Sequence, residues 1–405
     1  VVGKQVGEKP VAISLKADTN VNLEKQTMSM AGLSIKGLGL DVSGNIKATN
    51  IDLEPAYSGQ LNVVPFNLRA LMKKLGQDLP ETADKKVFRK LGFETQFVKS
   101  SSNFEVKNLN MILDQTSLSG EFSMLGLENP AIKFILDIDR INVDQYLSPS
   151  EEGEDNRPIT PETAATKLPI RILQALNVDG SLAIGKLTLS KVKLTNVNLK
   201  LKGKDGKIVL APVAANLYQG SYSGKISINA NGKIPKLVVN SAIKGVQIEP
   251  LLMDTTGSAD LVGRSDISIA VVARGKNTDT FKQTLSGQAE LKVSNGILRG
   301  VDVPSALEQV ELMIENERFG KVNIEGDTPF DSLTATLPIN AGIVNNQDLL
   351  LTAPGFKVTG KGVFARLVDM SWKYDLKVAV DERSLSQGEK TYNLSDYTIP
   401  IKCRG

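Results

Sequence analysis

The sequence predicts a mainly β protein: a long curved antiparallel sheet that forms an open hydrophobic groove, with a few short capping helices. Apolar and polar residues alternate through most of the 405-residue chain, the pattern of strands with one dry face and one wet face. Asn-Gly and Asp-Gly pairs, which supply the positive φ angles of tight hairpins, separate the alternating stretches. Segments with helical spacing amount to only ~15% of the chain, well below the usual third.

The alternation is clearest at residues 371–380, SWKYDLKVAV. The ring and aliphatic side chains fall on one side of a strand, and the Ser, Lys and Asp residues fall on the other. The same alternation recurs at 11–17, 104–113, 131–139, 224–232, 266–275, 289–296, 332–340 and 356–364. The turn pairs are Asp179-Gly180, Asp205-Gly206, Asn231-Gly232 and Asn295-Gly296.

Helices are predicted at 65–77, 81–92, 160–177 and 302–318. The third begins with a Thr160 cap and has Pro161 at the first helical position. The fourth places Leu307, Val310 and Ile314 inward. We expect this helix to plug or cover one end of the groove.

The chain is expected to have two parts that share one sheet. An N-terminal part, 1–148, precedes an acidic loop at 149–158, and a C-terminal β region covers 159–405. The loop contains Ser, Gly and Pro without aromatic residues, which is typical of a solvated linker. Its charges lack the alternating Asp spacing of a calcium loop.

An internal repeat predicts how the strands bend. Residues 28–42 and 187–201 share an apolar-x-apolar-x-x pattern. The extra residue in each unit would reverse the alternation unless a β-bulge or a tight bend restores it, and bulges add twist and curvature. We expect the two segments to occupy equivalent positions in the two parts. A sandwich with bulged edge strands fits the same pattern.

Composition excludes several functions. There is no histidine, so Ser-His and Cys-His nucleophile pairs and histidine metal sites are absent, and one cysteine, Cys403, forms no internal disulfide. The net charge of +3 is spread along the chain and gives no nucleic-acid footprint. No run approaches the ~18 apolar residues of a membrane-spanning helix. The chain starts at Val1 without a methionine, so an N-terminal anchor or signal segment could have been removed.

Two patterns could suggest an enzyme, and neither is convincing. Asp137 and Asp139 share one strand face, where solvation is the ordinary explanation. Ser190 and Lys193 match Ser-x-x-Lys, but they lie in a strand pattern, whereas serine enzymes place that motif on a helix. We therefore expect no catalytic residue, no metal and no cofactor.

The order of several segments resembles the AsmA family over nearly the whole chain. The residues that carry the resemblance are 58–84, 136–147, 215–224, 285–303 and 328–364. The resemblance implies a Gram-negative protein with an N-terminal inner-membrane anchor and its bulk in the periplasm. It also implies a likeness to bridge-like lipid-transfer proteins, whose elongated β-groove passes phospholipid tails toward the outer membrane, and a link to outer-membrane protein assembly.

Phospholipid is therefore the expected partner, held by its acyl chains on the dry face of the sheet. Burial of hydrocarbon gains ~0.8 kcal/mol per CH2, and headgroups stay in water at the open edge. For each residue, packing inside a protein core is the alternative. The candidate lipid-binding residues are Leu194, Leu199, Leu201, Ile226, Ile228, Leu333, Leu337, Trp372, Tyr374, Leu376 and Val378.

Two other functions stay open. An exposed strand edge could pair with a client strand, which would make the protein an assembly factor for outer-membrane proteins. A structural repeat protein or adhesin would instead have a sealed core and no continuous groove. The sequence does not separate the first of these from lipid transport.

Overall fold

The computed structural model describes residues 12–126, 129–149, 168–316, 320–322, 325–380, 384–387, 390–393 and 398–404. Strands dominate these residues. They are β1 Ile13–Asn22, β2 Thr27–Gly37, β3 Leu40–Thr49, β4 Ala56–Phe66, β5 Leu91–Lys99, β6 Asn103–Leu113, β7 Thr116–Leu125, β8 Ala131–Asn142, β9 Asn177–Leu189, β10 Val192–Lys204, β11 Lys207–Leu217, β12 Gly220–Asn229, β13 Lys236–Gln247, β14 Leu261–Arg274, β15 Ser286–Arg299, β16 Asp327–Asn340, β17 Ile343–Ala353, β18 Phe356–Arg366, β19 Lys373–Val380, β20 Ser384–Gln387, β21 Lys390–Asn393 and β22 Thr398–Arg404.

The helices of the described residues are few and short. They are α1 Leu68–Lys74, α2 Ile170–Ala175, α3 Ile248–Thr256, α4 Thr278–Thr284 and α5 Val303–Glu315, with a 3-10 helix at Val143–Gln145. The predicted fold class, mainly β with one long curved sheet and a few short helices, is confirmed, because 20 strands belong to one sheet.

Contacts divide the chain into two compact units. The first contains Val1–Pro158 and Arg171–Ala211, and the second contains Ile159–Ile170 and Pro212–Gly405. In the first unit each strand from β1 to β10 pairs with the next along the chain. In the second unit β12 to β19 do the same, and β22 pairs with β19.

One pair departs from the antiparallel order that was predicted. β8 and β9 run parallel, with Ala131 opposite Asn177 and Asn142 opposite Thr188. Parallel neighbours need a crossover connection, because a two-residue turn can only reverse the chain. The connection between β8 and β9 contains the predicted acidic loop, of which residues 150–158 lie outside the described part of the chain.

The bulges predicted from the apolar repeat are present. In β2, Ala31 and Gly32 together oppose one residue of β3, and Gly32 has a φ of 57°. The extra residue restores the alternation, so Met30 and Leu33 lie on the same face. Further bulges occur at Val64–Pro65 in β4, Lys107–Asn108 in β6 and Lys244–Gly245 in β13.

The predicted equivalence of the two repeat segments is wrong. Residues 28–42 run along β2 and through the turn into β3, whereas 187–201 run from the end of β9 through a turn and along β10. Both segments belong to the first unit. In β10 the alternation is reset at Asn196, which has a φ of 50°, while the register with β9 continues unbroken across it.

Tight turns use residues that the Asn-Gly and Asp-Gly signal does not identify. Of the predicted pairs, Asp205-Gly206 is a two-residue turn with both φ angles positive. Asp179-Gly180 lies inside β9, and Asn295-Gly296 lies inside β15. The β9–β10 turn is instead Ser190-Lys191, whose backbone N–H groups donate to the Asp144 carboxylate at 2.7 and 2.8 Å. A carboxylate from a distant segment thus stabilises a turn that its own residues do not favour.

Two of the four predicted helices are confirmed. α1 lies within 65–77 and α5 lies within 302–318. α2 occupies the end of 160–177, and the segment 160–167 lies outside the described residues. The helix predicted at 81–92 is wrong, and α3 and α4 were not predicted.

Asp114 explains why residues 81–90 are irregular. Its carboxylate accepts hydrogen bonds from the backbone N–H groups of Phe88, Arg89 and Lys90 at 2.7, 2.8 and 3.1 Å. It also accepts one from the Tyr146 hydroxyl at 3.0 Å. Because Phe88 has a φ of 63°, the chain cannot be helical there. The segment therefore forms a loop at one end of the first unit, held by the β6–β7 turn.

The second unit contains a packed core at one end of its sheet. Leu307 of α5 lies among side chains of five strands, together with partly buried Val303. The buried strand residues of this core are Val293, Phe330, Leu351, Ala353, Phe356, Val358, Val378 and Val380. α5 therefore covers this end of the sheet. Leu307 is buried as predicted, Val310 is half-buried, and the side chain of Ile314 lies outside the described residues.

Replacement of Asp114 by alanine should lower the free energy of unfolding by about 2–4 kcal/mol. Four hydrogen bonds to one carboxylate would be lost, and three backbone N–H groups would need new partners. Chemical denaturation measures the change. The matched control is Asp41→Ala, which removes an exposed ion pair with Lys36 (2.8 Å) and should cost no more than ~1 kcal/mol. Equal effects of the two substitutions would contradict the role of Asp114.

The phenol of Tyr146 should ionise only at high pH. Burial and the hydrogen bond to Asp114 raise the pKa of its phenol from 10.0 to about 12. Because the folded-state pKa lies above the unfolded value, this group stabilises the fold fully below pH 10, and that contribution is lost as the pH rises toward 12. Spectrophotometric titration of the parent chain and Tyr146→Phe should give a difference curve with its midpoint near the higher value. A midpoint near 10 in folded protein would refute the assignment.

Candidate functional site

An uninterrupted apolar face crosses the first unit. Residues paired in register share a face of the sheet, so each apolar row can be followed from strand to strand. One row, from β2 to β10, is Ile35, Val42, Val63, Phe93, Met111, Leu118, Ile138, Ile184 and Val197. We call the side of the sheet that carries this row the first apolar face.

A second row lies on the same face, with the row that contains Leu33, Gly44 and Leu61 between the two. It is Met30, Ile46, Gly59, Phe97, Val106, Phe122, Phe134, Gly180 and Leu201. The two glycines leave room for neighbouring rings. A Cβ at Gly180 would lie 2.4 Å from the Phe134 ring, and one at Gly59 would lie 3.1 Å from the Phe97 ring. The rings can therefore lie close to the backbone of the next strand.

The opposite face of the first unit is polar. One row on this face, next to the row that contains Val42, is Ser34, Ser43, Asn62, Glu94, Asn110, Ser119, Asp137, Ala183 and Asn198. Water is the natural neighbour of these side chains. The sheet therefore has one face suited to water and one suited to hydrocarbon.

The first apolar face is only partly covered. Phe93, Phe97, Phe104, Phe122 and Phe134 are all half-buried, and none is buried. Among the described residues, the helices that pack most extensively against strands are α3, α4 and α5, and all three belong to the second unit. In the first unit the 3-10 helix that follows β8 packs against β9. Large rings that remain accessible on a continuous face indicate a surface available to an apolar ligand.

Three predicted lipid-binding residues lie on the first apolar face. Leu194, Leu199 and Leu201 of β10 are half-buried, and the lysines and asparagines between them are exposed. Leu199 pairs with Leu182 of β9, and Leu201 pairs with Gly180. Across β9, Leu201 is in register with Phe134 of β8, Leu199 with Leu136 and Leu194 with Ile141, so all three continue the apolar surface.

The second unit has its own apolar face. Its row from β12 to β16 is Tyr222, Ile243, Ile267, Leu291 and Ala335. The predicted residues Ile226 and Ile228 of β12 are half-buried on this face, opposite Val239 and Leu237. Leu337 of β16 is half-buried opposite Ala289. We call this side of the sheet the second apolar face.

The remaining predicted residues of the second unit are largely covered by protein. Val378 belongs to the core beneath α5, and Leu333 and Leu376 pack against that core. Tyr374 is 7% exposed. Trp372 differs from the prediction, because β19 starts at Lys373 and leaves Trp372 in the preceding loop, 41% exposed. Val378, Leu333 and Leu376 therefore lie where protein covers the second apolar face, and Trp372 lies at its rim.

A polar cluster interrupts the second apolar face. The Tyr374 hydroxyl donates to the side-chain oxygen of Asn346, which is fully buried. The Asn346 amide donates to the Thr336 carbonyl at 2.9 Å and to Asp348 at 2.8 Å. Burial and the nearby Asp348 carboxylate raise the pKa of Tyr374 to about 12, so the phenol stays protonated at neutral pH. The cluster fixes the β17 bulge and leaves no unpaired group for a ligand.

Hollows on the opposite faces are charged. One of about 510 Å³ in the first unit lies between side chains of alternating sign. Lys107 is 3.1 Å from Glu105, and Lys202 is 3.6 Å from Asp179. Such interleaved charges are typical of a solvated surface, although the exposed side chain of Ile135 also lines this hollow.

The carboxylates considered for catalysis have structural roles or are solvated. Asp137 is exposed on the polar face. Burial raises the pKa of Asp139, but hydrogen bonds from the backbone of Ser117 and Arg140 (2.7 and 2.6 Å) outweigh it and lower the pKa overall. Ser190 lies in the β9–β10 turn. Within the described residues, no cluster of three or more metal-binding side chains occurs.

Sequence reasoning did not nominate the phenylalanines of the first apolar face. Phe104 and Phe134 lie in alternating stretches that the sequence displays, at 104–113 and 131–139. That alternation was the available signal. It assigns a face to each residue, but it does not show that these rings line up across neighbouring strands. Among the described residues, no helix is both long and apolar enough to cross a bilayer.

Comparison with known proteins agrees with this architecture. The sequence profile of the AsmA family matches residues 3–349. Over 361 residues the chain is 19% identical to Protein AsmA of Escherichia coli (strain K12), an alignment that covers 84% of this chain and 58% of that protein. The chain thus spans less than two thirds of the length of that relative. No solved structure is significantly similar. Because the profile covers well over half of the residues, the chain belongs to the AsmA family.

Proposed function

We propose that this protein binds phospholipids by their acyl chains along its apolar faces and carries them between the inner and outer membranes. The observation that supports this most strongly is the first apolar face. It continues in register from β2 to β10, and its phenylalanine rings remain half-buried. Membership of the AsmA family supports a periplasmic location and an inner-membrane anchor for the whole protein.

The energetics favour hydrocarbon as the ligand. Each CH2 removed from water contributes ~0.8 kcal/mol, so an acyl chain that loses contact with water over ten carbons would gain on the order of 8 kcal/mol before the entropy of ordering is subtracted. No fixed polar site is needed for the headgroup, because it can stay in water at the strand ends. A ligand held this way can slide between rows of similar side chains.

α5 has a distinct role in this proposal. Through Leu307 it closes one end of the second apolar face, where Phe330, Leu351 and Val378 are already packed. The half-buried residues Ile226, Ile228 and Leu337 lie beyond this core and remain available to lipid. Lipid is therefore expected along the part of the second apolar face that α5 does not seal.

Leu199→Asp should reduce the phospholipid that copurifies with the protein by at least ~fivefold. A charge on the apolar face would have to be buried against hydrocarbon, which is strongly unfavourable. Native mass spectrometry with lipid extraction measures the bound lipid. The matched control is Asn198→Asp, which adds the same charge one residue earlier, on the polar face, and should leave the lipid content unchanged.

Two results would contradict lipid binding. One is a parent chain that carries no extractable phospholipid and takes up none from vesicles after delipidation. The other is an equal loss of lipid from the variants at 198 and 199 while both stay folded, because lipid would then not distinguish the apolar face from the polar face. Circular dichroism and the denaturation midpoint establish that both variants are folded.

An assembly factor for outer-membrane proteins is the second candidate. β1 pairs with β2, and no second partner of β1 occurs among the described residues. Its Ile13, Leu15 and Val21 side chains are exposed. An open edge with unpaired backbone groups can accept a client strand.

Site-specific photocrosslinking discriminates between the two functions. A photoreactive residue at Phe122, on the first apolar face, should crosslink to phospholipid in cells, while one at Ser14, in the edge strand, should give no polypeptide adduct. Ser123, on the polar face of the same strand, is the control for Phe122. Polypeptide adducts at Ser14 without lipid adducts at Phe122 would favour the assembly factor.

A further inference from the structure

The two ends of the strands in the second unit carry opposite charge. Because the strands from β12 to β19 alternate in direction, their connections fall in two groups, one at each end. The connections 248–260 and 300–326 lie at the end of the sheet that α5 covers. Their described residues, 248–260, 300–316, 320–322 and 325–326, include eight Asp or Glu residues and one Lys residue.

The other end is basic. Four strands start or end there on a cation: Lys236, Arg274, Arg366 and Lys373. The connections between those strands add Lys233, Lys276 and Lys282, against Asp279 and Asp369. We call this the basic end. Six strand spacings of ~4.8 Å place its first and last hairpin connections roughly 30 Å apart.

An exposed apolar loop lies at the basic end. The β18–β19 connection and its flanks expose Phe364 by 49%, Val368 by 61%, Met370 by 67% and Trp372 by 41%. Large apolar side chains grouped this closely on one loop are unusual on a surface that only water contacts. We call this group of four side chains the apolar tip.

The apolar tip is a defined structure. Arg366 and Met370 are joined by a backbone hydrogen bond of 2.7 Å, and the Asp369 carboxylate accepts from the Ser371 hydroxyl at 2.7 Å. The Leu367 N–H donates to the Gly342 carbonyl at 2.9 Å, which ties the loop to the β16–β17 turn. The tip is thus held in place at the strand ends, with its apolar side chains outward.

The apolar tip also contacts the rim of the second apolar face. The Phe364 ring contacts the Tyr374 ring edge to face, with centroids 6.1 Å apart. Tyr374 is the first residue of the β19 row that leads to Leu376 and Val378. The tip therefore contacts the ring of Tyr374, whose hydroxyl belongs to the polar cluster at the rim of the second apolar face.

We propose that the basic end is a membrane-docking surface, with the apolar tip inserted at the interface of a bilayer that contains anionic phospholipids. Trp and Phe prefer the boundary between headgroups and acyl chains, and flanking Lys and Arg residues attract anionic headgroups. The acidic connections at the other strand ends orient the unit, because an anionic surface repels them.

The size of the apolar tip favours a bilayer over a protein partner. Four partly exposed side chains offer on the order of a few hundred Å² of contact, whereas a stable protein interface buries ~800 Å² on each partner. A small protruding loop with cations around it suits shallow insertion into a membrane. If the protein carries lipid as proposed, the basic end is the place where a lipid would pass between the bilayer and the sheet.

Trp372 makes a direct test possible, because it is the one tryptophan of the chain. Vesicles of phosphatidylglycerol and phosphatidylethanolamine should shift its emission to shorter wavelength, and brominated phosphatidylglycerol should quench it. Phosphatidylcholine vesicles, or the anionic vesicles at high salt, should give a much smaller change because the cations lose their partners. An unchanged spectrum with anionic vesicles would overturn the proposal.

Flotation with the same anionic vesicles tests the tip by substitution. Val368→Asp combined with Met370→Asp should weaken the association at least ~tenfold, because two apolar side chains would be replaced by charges that the surface repels. The matched control is Leu53→Asp, at a side chain 86% exposed in the β3–β4 connection, which should float like the parent chain. Equal flotation of the tip variant and the parent, or an equal loss in the control, would overturn the assignment.

Lipid extraction separates this inference from the proposed carriage of lipid. Leu199→Asp should lose bound lipid and still float, whereas the tip variant should float poorly and keep the lipid that it copurifies with. If the parent chain holds no lipid but floats through the tip, docking stands and carriage fails. If the Trp372 emission shifts with protein concentration and no vesicle association occurs, the tip contacts another copy of the chain and the docking proposal fails.

Discussion

The structure depends on keeping the apolar side chains of many consecutive strands on one face. Hydrogen bonds between strands fix the register, and a shift of a single residue would move every side chain of a strand to the opposite face. Bulges such as Ala31–Gly32 admit an extra residue without that reversal. The row that runs from Ile35 to Val197 exists because each such irregularity restores the alternation.

A sheet with this property needs a cover for its apolar face. In the second unit α5 supplies one over part of the face, and Leu307 completes a core of nine buried residues. In the first unit the phenylalanines stay half-buried, and the ordered loop at the strand ends is held by Asp114 through its own polar contacts. This difference between a sealed and an accessible apolar surface is the physical basis for proposing an apolar ligand.

Local alternation predicted part of the candidate site and missed the rest for identifiable reasons. At 373–380 it placed Tyr374, Leu376 and Val378 correctly on one face. It failed for 81–92, where the carboxylate of Asp114, more than twenty residues away, captures the backbone N–H groups that a helix would use. It also misread Asn295-Gly296 as a turn, because the same left-handed residue that closes a hairpin can reset the alternation inside a strand.

The sequence by itself determined that the protein is mainly β, which side chains of most strands are apolar, and which chemistries its composition excludes. Only the tertiary structure decided that Val378 lies beneath a helix while Leu199 remains half-buried. It also gathered Lys236, Arg274, Arg366 and Lys373 at one end of the strands, although they are spread over more than a hundred residues. Alternation is a property of neighbouring residues, whereas cover and clustered charge arise from segments that pairing brings together across the chain.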